Sequence, residues 1–194
     1  MKKKRRKKLR SIGGWRLKVP VLVLLAAGLY AAFRLSPVPA WIPDDTRYAE
    51  EIRAAAMRHG VDPRLVRAVI WRESRFRARA VGGQGEIGLM QLLPKGAVAE
   101  YYRIHRTPPM SEKELFEVRN NLEIGCWYLG TALRRWKNAD HSVERALVQY
   151  NAGEGRAREW GPPPAGKGAK DPISAPIRSY VNGIMTRYHG YCKK

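Results

Sequence analysis

Beyond residue 45 the sequence repeats one pattern, in which apolar residues recur at helical spacing between capping residues and glycines. Asp62 is placed to cap a helix whose first position is Pro63, and Gly60 is placed to end the preceding helix. That preceding helix is predicted to be capped within residues 44–46. No stretch alternates polar and apolar residues as a half-buried strand would. We therefore expect residues 46–194 to form one all-α domain with a single core.

Four further segments carry the same helical spacing, and each is predicted to contribute one helical element to this domain. They are GLMQLLPKGAVAEYY at 88–102, SEKELFEVRNNLEIGCWYLGTALRRWKN at 111–138, SVERALVQYNAG at 142–153 and APIRSYVNGIMTRYHG at 175–190.

The net charge of +20 is concentrated at the start of the chain. Ten lysines and arginines, and no acids, lie within residues 1–18, which leaves +10 for the remainder. A charge of this sign suits a polyanionic partner. Nucleic acid, an anionic membrane surface and an acidic cell-wall polymer all qualify on this ground alone.

An uncharged run of 15 residues, 19–33, follows the basic block directly. Extended to residues 19–35, its helical length approaches the ~30 Å apolar core of a bilayer. We predict a single transmembrane anchor at 19–35, with a cleaved signal peptide as the alternative. The positive-inside rule then makes residues 1–18 a cytoplasmic tail and places the domain on the periplasmic side of the cytoplasmic membrane. This location argues against a nucleic-acid partner.

Three prolines make residues 36–45 a short, stiff linker.

An acidic residue lies on the apolar stripe of the helix that starts at Pro63. Val66, Val69, Ile70 and Glu73 follow one another at spacings that place them on one helical face. Burial would raise the pKa of the Glu73 carboxyl and allow it to act as a general acid. A buried glutamate that is neutralised by a nearby arginine fits the spacing equally well, so both interpretations stay open here.

A glycine-rich segment follows this helix, with glycines at positions 82, 83, 85 and 88. Such a segment lets the backbone approach a ligand closely. Gln91 begins the next element and is expected to point into the same region. The acid of this turn, Glu86, is interpreted as a structural or capping group.

The motifs WRESRF at 71–76, GEIGLMQLLP at 85–94, ALVQYNAG at 146–153 and IRSYVNGIMTRY at 177–188 occur in the order of a known family. Together they resemble the soluble-lytic-transglycosylase (SLT) catalytic domain, a goose-type-lysozyme-like helical fold. The resemblance covers about residues 46–188. It implies that Glu73 is the catalytic acid/base. It further implies substrate-binding roles for Ser74, Gly88, Leu89, Met90, Gln91, Tyr150, Asn151 and Tyr180, the last of which would also support Glu73.

The chain departs from the family pattern at two positions. Gln149 stands where the family often has a small apolar residue, and Cys126 is unusual in its helix. The second cysteine, Cys192, lies two residues from the C-terminus. Two unpaired thiols are favoured over a disulfide, which the expected location would permit. Three aromatic residues at helical spacing, Trp127, Tyr128 and Trp136, are predicted to belong to the core.

The resemblance also implies a reaction. A lytic transglycosylase cleaves the β-1,4 bond between N-acetylmuramic acid and N-acetylglucosamine in peptidoglycan glycan strands and leaves a 1,6-anhydro-muramyl end. One carboxyl serves as acid and then base, with help from the N-acetyl group of the substrate. The alternatives are a muramidase that cleaves the same bond with water and a non-catalytic peptidoglycan-binding protein. We expect a monomer without cofactors, and the scattered histidines indicate no metal site.

Overall fold

The computed structural model describes residues 44–165 and 171–193, which fold into helices joined by turns and two longer non-helical segments. Within this part of the chain no β-strand forms beyond isolated bridges, which confirms the all-α prediction. The helices are α1 (Ala49–Arg58), α2 (Pro63–Glu73), a π-helical turn (Pro94–Val98), α3 (Ala99–His105), α4 (Glu112–Leu115), α5 (Val118–Trp136), α6 (Ser142–Arg158) and α7 (Ala175–Cys192).

The predicted anchor at 19–35 lies outside the described residues, as do the predicted tail at 1–18 and most of the linker. Among the helices that the structure does describe, none combines the length and the apolar character needed to cross a bilayer.

Helix α2 begins as the sequence predicts. The carboxylate of Asp62 accepts a hydrogen bond from the backbone N–H of Arg64 at 2.8 Å, and Pro63 takes the first helical position. Helix α1 also ends where predicted, because Gly60 follows it with a positive φ of 66°. Its start lies later than expected, at Ala49.

The late start of α1 has a local cause. Asp44 does not cap the helix, because its carboxylate accepts hydrogen bonds from the backbone N–H and the hydroxyl of Thr46, at 3.0 and 2.7 Å. The residues from Asp44 to Thr46 therefore close a turn of their own before the helix begins.

The predicted helix at 88–102 is wrong over its first six residues. Helical structure begins only at Pro94, because Gly88 has a φ of 79° and Gln91 a φ of 46°. Isolated bridges join Ile87 to Val81 and to Leu92 instead. The segment after Glu73 is therefore a tight folded turn, and it forms one wall of the site described below.

Helix α5 is central to the core and packs against α1, α4 and α6, while α2 packs along α7. Leu122, Ile124 and Leu129 of α5 are fully buried. Burying side chains of this size contributes about 1.5–3 kcal/mol each relative to leaving them exposed. The segment 111–138, predicted as one element, is divided into α4 and α5 by a turn at Phe116 and Glu117. The packing of α2 along α7 brings Glu73, at the C-terminal end of α2, against Tyr180 of α7.

Candidate active site

A cavity of about 380 Å³ lies where the end of α2, the glycine-rich turn and α6 meet. Its volume is in the range of small-ligand sites in proteins. Of the predicted site residues, the structure brings Glu73, Gln91, Tyr150 and Asn151 together at this cavity. Its wall is completed by Gly82, Gly83, Gln84, Glu86, Leu92, Leu93, Gly96, Ala97, Tyr128, Gln149 and Gly153.

Glu73 is the last residue of α2, and its carboxylate is held by a residue far away in the sequence. The hydroxyl of Tyr180, on α7, donates a hydrogen bond to Glu73 Oε1 at 2.6 Å. The Tyr180 side chain is 4% exposed. No arginine, lysine or histidine among the described residues forms an ion pair with this carboxyl. The interpretation of Glu73 as a glutamate neutralised by arginine therefore does not hold.

Burial raises the pKa of Glu73 from its ordinary value of 4.5 to about 7. The Tyr180 hydrogen bond and the nearby Arg72 lower this pKa, whereas the negative charge of Glu86 raises it further. Burial is the largest of these effects. The carboxyl is thus substantially protonated near neutral pH and can give up its proton without a large energetic cost, which are the properties of a general acid.

The turn between Ala80 and Leu92 is closed by backbone hydrogen bonds. Gly82 N–H donates to Glu86 O at 2.8 Å, and Gly88 N–H donates to Ala80 O at 2.9 Å. A Cβ on Gly82 would lie 2.2 Å from a carboxylate oxygen of Glu86, so a larger residue at this position would displace the Glu86 side chain from its place in the turn. Close contact of backbone and side chains thus shapes this wall of the cavity.

Glu86 has the structural role predicted for it, and it also lines the cavity. Its carboxylate accepts a hydrogen bond from the backbone N–H of Gln84 at 2.9 Å, inside the same turn. Gln91 is held in a similar way, because its side-chain nitrogen donates to Gly88 O at 2.9 Å and to Ala80 O at 3.2 Å. Both side chains stabilise the turn that faces Glu73.

Five of the predicted substrate-binding residues do not line the cavity: Ser74, Gly88, Leu89, Met90 and Tyr180. Leu89 and Met90 are fully buried in the core, so their side chains are out of reach of a ligand in the cavity. The tight turn directs both side chains into the core. Gly88 lies against Asn121, whose amide nitrogen would be 2.3 Å from a Cβ at this position. Gly88, Leu89 and Met90 therefore support the wall of the cavity from the core side.

Ser74 also differs from the expectation. It is 1% exposed, and its hydroxyl donates to the carbonyl of Ile70 in the preceding turn of α2 at 3.3 Å. A hydroxyl used in this way orients neither Glu73 nor a ligand. Ser74 ends the helix that carries Glu73 and belongs to the scaffold.

Tyr150 and Asn151 reach the cavity from α6. The hydroxyl of Tyr150 donates to the backbone carbonyl of Met90 at 2.7 Å, which ties α6 to the glycine-rich turn. Asn151 is exposed and leaves its amide group accessible from the cavity. Helix α6 is kinked just beyond them, where Gly153 adopts a φ of 83°.

The amino-acid sequence from residue 50 to residue 171 matches the family model described as the transglycosylase SLT domain. The match spans more than half of the chain. The chain belongs to this family.

A curated relative of this SLT domain protein is the membrane-bound lytic murein transglycosylase C of Yersinia enterocolitica serotype O:8 / biotype 1B. The two are 30% identical over 114 residues, which cover 56% of this chain and 32% of the relative. The chain thus spans about a third of the length of such relatives.

Two solved structures share the fold of this SLT domain. One is an inactive Glu-to-Gln mutant of the lytic transglycosylase Slt from Pseudomonas aeruginosa, with a TM-score of 0.64, 24% identity and coverage of 89% of this chain and 29% of Slt. The other is the 70 kDa soluble lytic transglycosylase SLT70 from Escherichia coli, with a TM-score of 0.61, 21% identity and coverage of 89% and 28%. The lysozyme-like helical architecture predicted from the motifs is thereby confirmed.

Sequence reasoning missed residues that matter in this SLT domain. Asn121 is fully buried on α5 and was not identified as part of the site; its signal was a polar residue on the apolar face of a helix. Tyr128, expected in the core, lines the cavity together with Gln149.

Cys126 is buried on α5 and Cys192 is exposed, and both are free thiols. The described residues contain no group of three or more histidine, cysteine or acidic side chains that could hold a metal ion.

If Glu73 acts as a general acid, replacing Tyr180 by Phe is expected to lower kcat by about tenfold with little change in KM, because the Tyr180 hydroxyl contacts the Glu73 carboxyl and Tyr180 does not line the cavity. In the wild type this hydrogen bond stabilises the ionised form of Glu73. Its loss should therefore raise the pKa of Glu73 above about 7 and move the alkaline limb of the pH–rate profile to higher pH. Initial rates measured from pH 5 to pH 9 test this. A change in KM alone would contradict the assignment.

The raised pKa of Glu73 also predicts a pH-dependent cost to stability. Between pH 4.5 and about 7 the unfolded chain loses a proton that the folded chain retains, so the free energy of unfolding falls as pH rises through this range. Glu73→Gln has no such titration. We expect the variant to be more stable than the wild type by at most about 3 kcal/mol at pH 8 and by nearly nothing at pH 4. Urea unfolding at both pH values measures the difference, and an equal difference at both would contradict the raised pKa.

Proposed function

We propose that this protein is a peptidoglycan lytic transglycosylase that uses Glu73 as its single acid/base. The observation that carries the proposal is the carboxyl of Glu73, which lines the cavity, has a pKa raised to about 7 and accepts a hydrogen bond from Tyr180. Membership of the SLT family and a relative named as a lytic murein transglycosylase support the same activity.

In the proposed reaction, Glu73 first donates its proton to the glycosidic oxygen between N-acetylmuramic acid and N-acetylglucosamine. The bond from this oxygen to the anomeric carbon breaks, and the acetamido carbonyl oxygen of the same muramyl residue stabilises the electron-poor carbon. The Glu73 carboxylate then removes the proton of the muramyl 6-hydroxyl, whose oxygen bonds to the anomeric carbon. The acid is regenerated, and no water is consumed.

A single carboxyl is sufficient for this sequence of steps, whereas most glycosidases use two. Glu86 lines the same cavity, but its carboxylate is engaged with the backbone N–H of Gln84. We infer that Glu86 stabilises the turn and acts on Glu73 only through its charge, which raises the pKa of that carboxyl.

Product analysis tests the proposal. Purified sacculi digested with the full chain are expected to release muropeptides with 1,6-anhydro-muramyl ends, which are lighter by one water than the hydrolysed products in mass spectrometry. Reducing muramyl ends would show the muramidase alternative instead. Binding to sacculi without any cleavage would leave the non-catalytic alternative.

We further propose that the protein is held in the cytoplasmic membrane by residues 19–35, with the SLT domain on the periplasmic side. The uncharged run after the basic block supports this, as does the description of the relative as membrane-bound. The protein is expected to sediment with membranes and to resist extraction with high salt, because apolar insertion is insensitive to ionic strength. Recovery of a shortened chain in the soluble fraction would establish a cleaved signal peptide.

A further inference from the structure

Gln149 is one of the two residues at which the chain departs from the family pattern, and the structure places it in the wall of the cavity. It lies on α6, directly before Tyr150, and is only 6% exposed. A glutamine that is this deeply buried needs partners for both ends of its amide group, because an unpartnered polar atom costs about 1–3 kcal/mol.

One end of the amide has a partner that determines its orientation. The indole nitrogen of Trp136, on α5, donates a hydrogen bond to Gln149 Oε1 at 2.8 Å. An indole N–H can only donate, so the atom facing it must be the amide oxygen. The amide nitrogen, Nε2, is thereby directed away from Trp136.

The other end has no partner in the protein. Among the described residues, no oxygen accepts a hydrogen bond from Gln149 Nε2, whereas Oε1 has its donor. In the same part of the chain no fully enclosed side-chain nitrogen or oxygen lacks a hydrogen bond, so Nε2 must be accessible. Since the residue lines the cavity and is otherwise buried, Nε2 is reached from the cavity.

We propose that Gln149 Nε2 donates a hydrogen bond to an oxygen atom of the N-acetylated sugar that occupies this cavity. Gln149 is then a substrate-binding residue, with Trp136 as the positioning residue that aims it. The acceptor is either the carbonyl oxygen of an acetamido group or a ring hydroxyl, both of which are good acceptors for an amide N–H. The identity of the ligand as a peptidoglycan sugar rests on the proposed function.

The proposal also accounts for the departure from the family pattern. A small apolar residue at this position would offer no donor, and Trp136 would lose its acceptor. The pair of Trp136 and Gln149 therefore adds to this chain one oriented donor in the cavity, separate from Glu73 and Tyr180.

The test uses the full chain in detergent with Glu73→Gln, so that the substrate is bound but not cleaved. Binding of peptide-free peptidoglycan glycan strands is measured by titration calorimetry. Adding Gln149→Ala should raise Kd by about 2- to 12-fold, the range expected for one neutral hydrogen bond. Adding Trp136→Phe should weaken binding less, because the amide remains but is no longer held in one orientation.

The double replacement of Trp136 and Gln149 provides the sharpest readout. It should bind no more weakly than Gln149→Ala alone, because Trp136 acts only through the amide. Asn138→Ala, an exposed amide at the end of α5 away from the cavity wall, is the matched control and should leave Kd unchanged. Additive losses in the double variant, an unchanged Kd with Gln149→Ala, or no strand binding by the parent protein would overturn the proposal.

Two further experiments identify the acceptor atom and distinguish this inference from the proposed function. With de-N-acetylated strands, the effect of Gln149→Ala should vanish if the acetamido carbonyl is the acceptor and persist if a hydroxyl is. Cleavage of sacculi by the protein with Glu73 intact is assayed separately. Gln149-dependent binding without cleavage would reject the proposed function and keep this inference. Cleavage with unchanged KM and kcat in Gln149→Ala would support the proposed function and reject this inference.

Discussion

Replacing Glu73 by Gln is expected to lower kcat/KM for peptidoglycan by about 100- to 10,000-fold, the range that a general acid–base group contributes. The amide occupies nearly the same volume and can still accept the hydrogen bond from the Tyr180 hydroxyl. It has no proton to give to the glycosidic oxygen at any accessible pH. The fold should therefore remain intact while the chemical step fails, as measured by release of anhydro-muropeptides.

Glu86→Gln is the matched control, because it makes the same change to the other glutamate of the cavity wall. We expect this variant to remain active. Since the Glu86 charge raises the pKa of Glu73, its removal should shift the alkaline limb of the pH–rate profile to lower pH. If Glu73→Gln retained substantial activity while Glu86→Gln abolished it, the two residues would have to exchange roles.

Replacing Asn121 by Leu is expected to cause the largest loss of stability, about 3 kcal/mol or more. The Asn121 amide makes three hydrogen bonds while fully buried: it accepts from Met90 N–H at 2.8 Å and donates to Ile87 O at 2.9 Å and to Leu115 O at 3.1 Å. Leucine fills a similar volume but leaves Met90 N–H and Leu115 O without a partner, each at a cost of about 1–3 kcal/mol, while Ile87 O keeps only its hydrogen bond from Leu92 N–H. Urea unfolding measures the change.

The preceding residue supplies a matched comparison for this prediction. Asn120 makes one exposed hydrogen bond, from its amide nitrogen to Glu114 O at 3.0 Å. Asn120→Leu should therefore cost no more than about 1 kcal/mol. The Asn121 variant should also lose activity, because the turn that faces Glu73 is fixed through Met90 and Ile87. Similar free energies of unfolding for the two variants would show that the buried amide is not needed to hold this turn.

Several features of this protein could be predicted from local sequence patterns. Helical spacing and caps located α2, with Asp62 and Pro63 at its start, and showed that Glu73 lies on its apolar face. These inferences succeed because a helix is closed by hydrogen bonds between near neighbours, so its faces and ends depend on residues a few positions apart. The motif resemblance added the family, because four short motifs in order are specific even where each alone is weak.

The direction of side chains in the glycine-rich turn could not be predicted in this way. Leu89 and Met90 lie in motifs that the resemblance assigned to the cleft, yet both are buried in the core. The turn that contains them has a left-handed backbone at Gly88 and at Gln91, and a non-glycine residue such as Gln91 adopts this conformation only when its surroundings stabilise it. Those surroundings include Asn121, 31 residues from Met90 in the sequence.

The sequence by itself determined that a single glutamate, Glu73, lies on the apolar stripe of α2, because amphipathic periodicity depends on residues a few positions apart. Only the tertiary structure decided what surrounds it. Tyr180, whose hydroxyl holds the carboxylate, lies 107 residues away and meets it because α2 packs along α7. Likewise, the amide of Gln149 is oriented by an indole on another helix. Contacts of this kind depend on how distant helices pack, and burial by that packing is also the main cause of the raised pKa of Glu73.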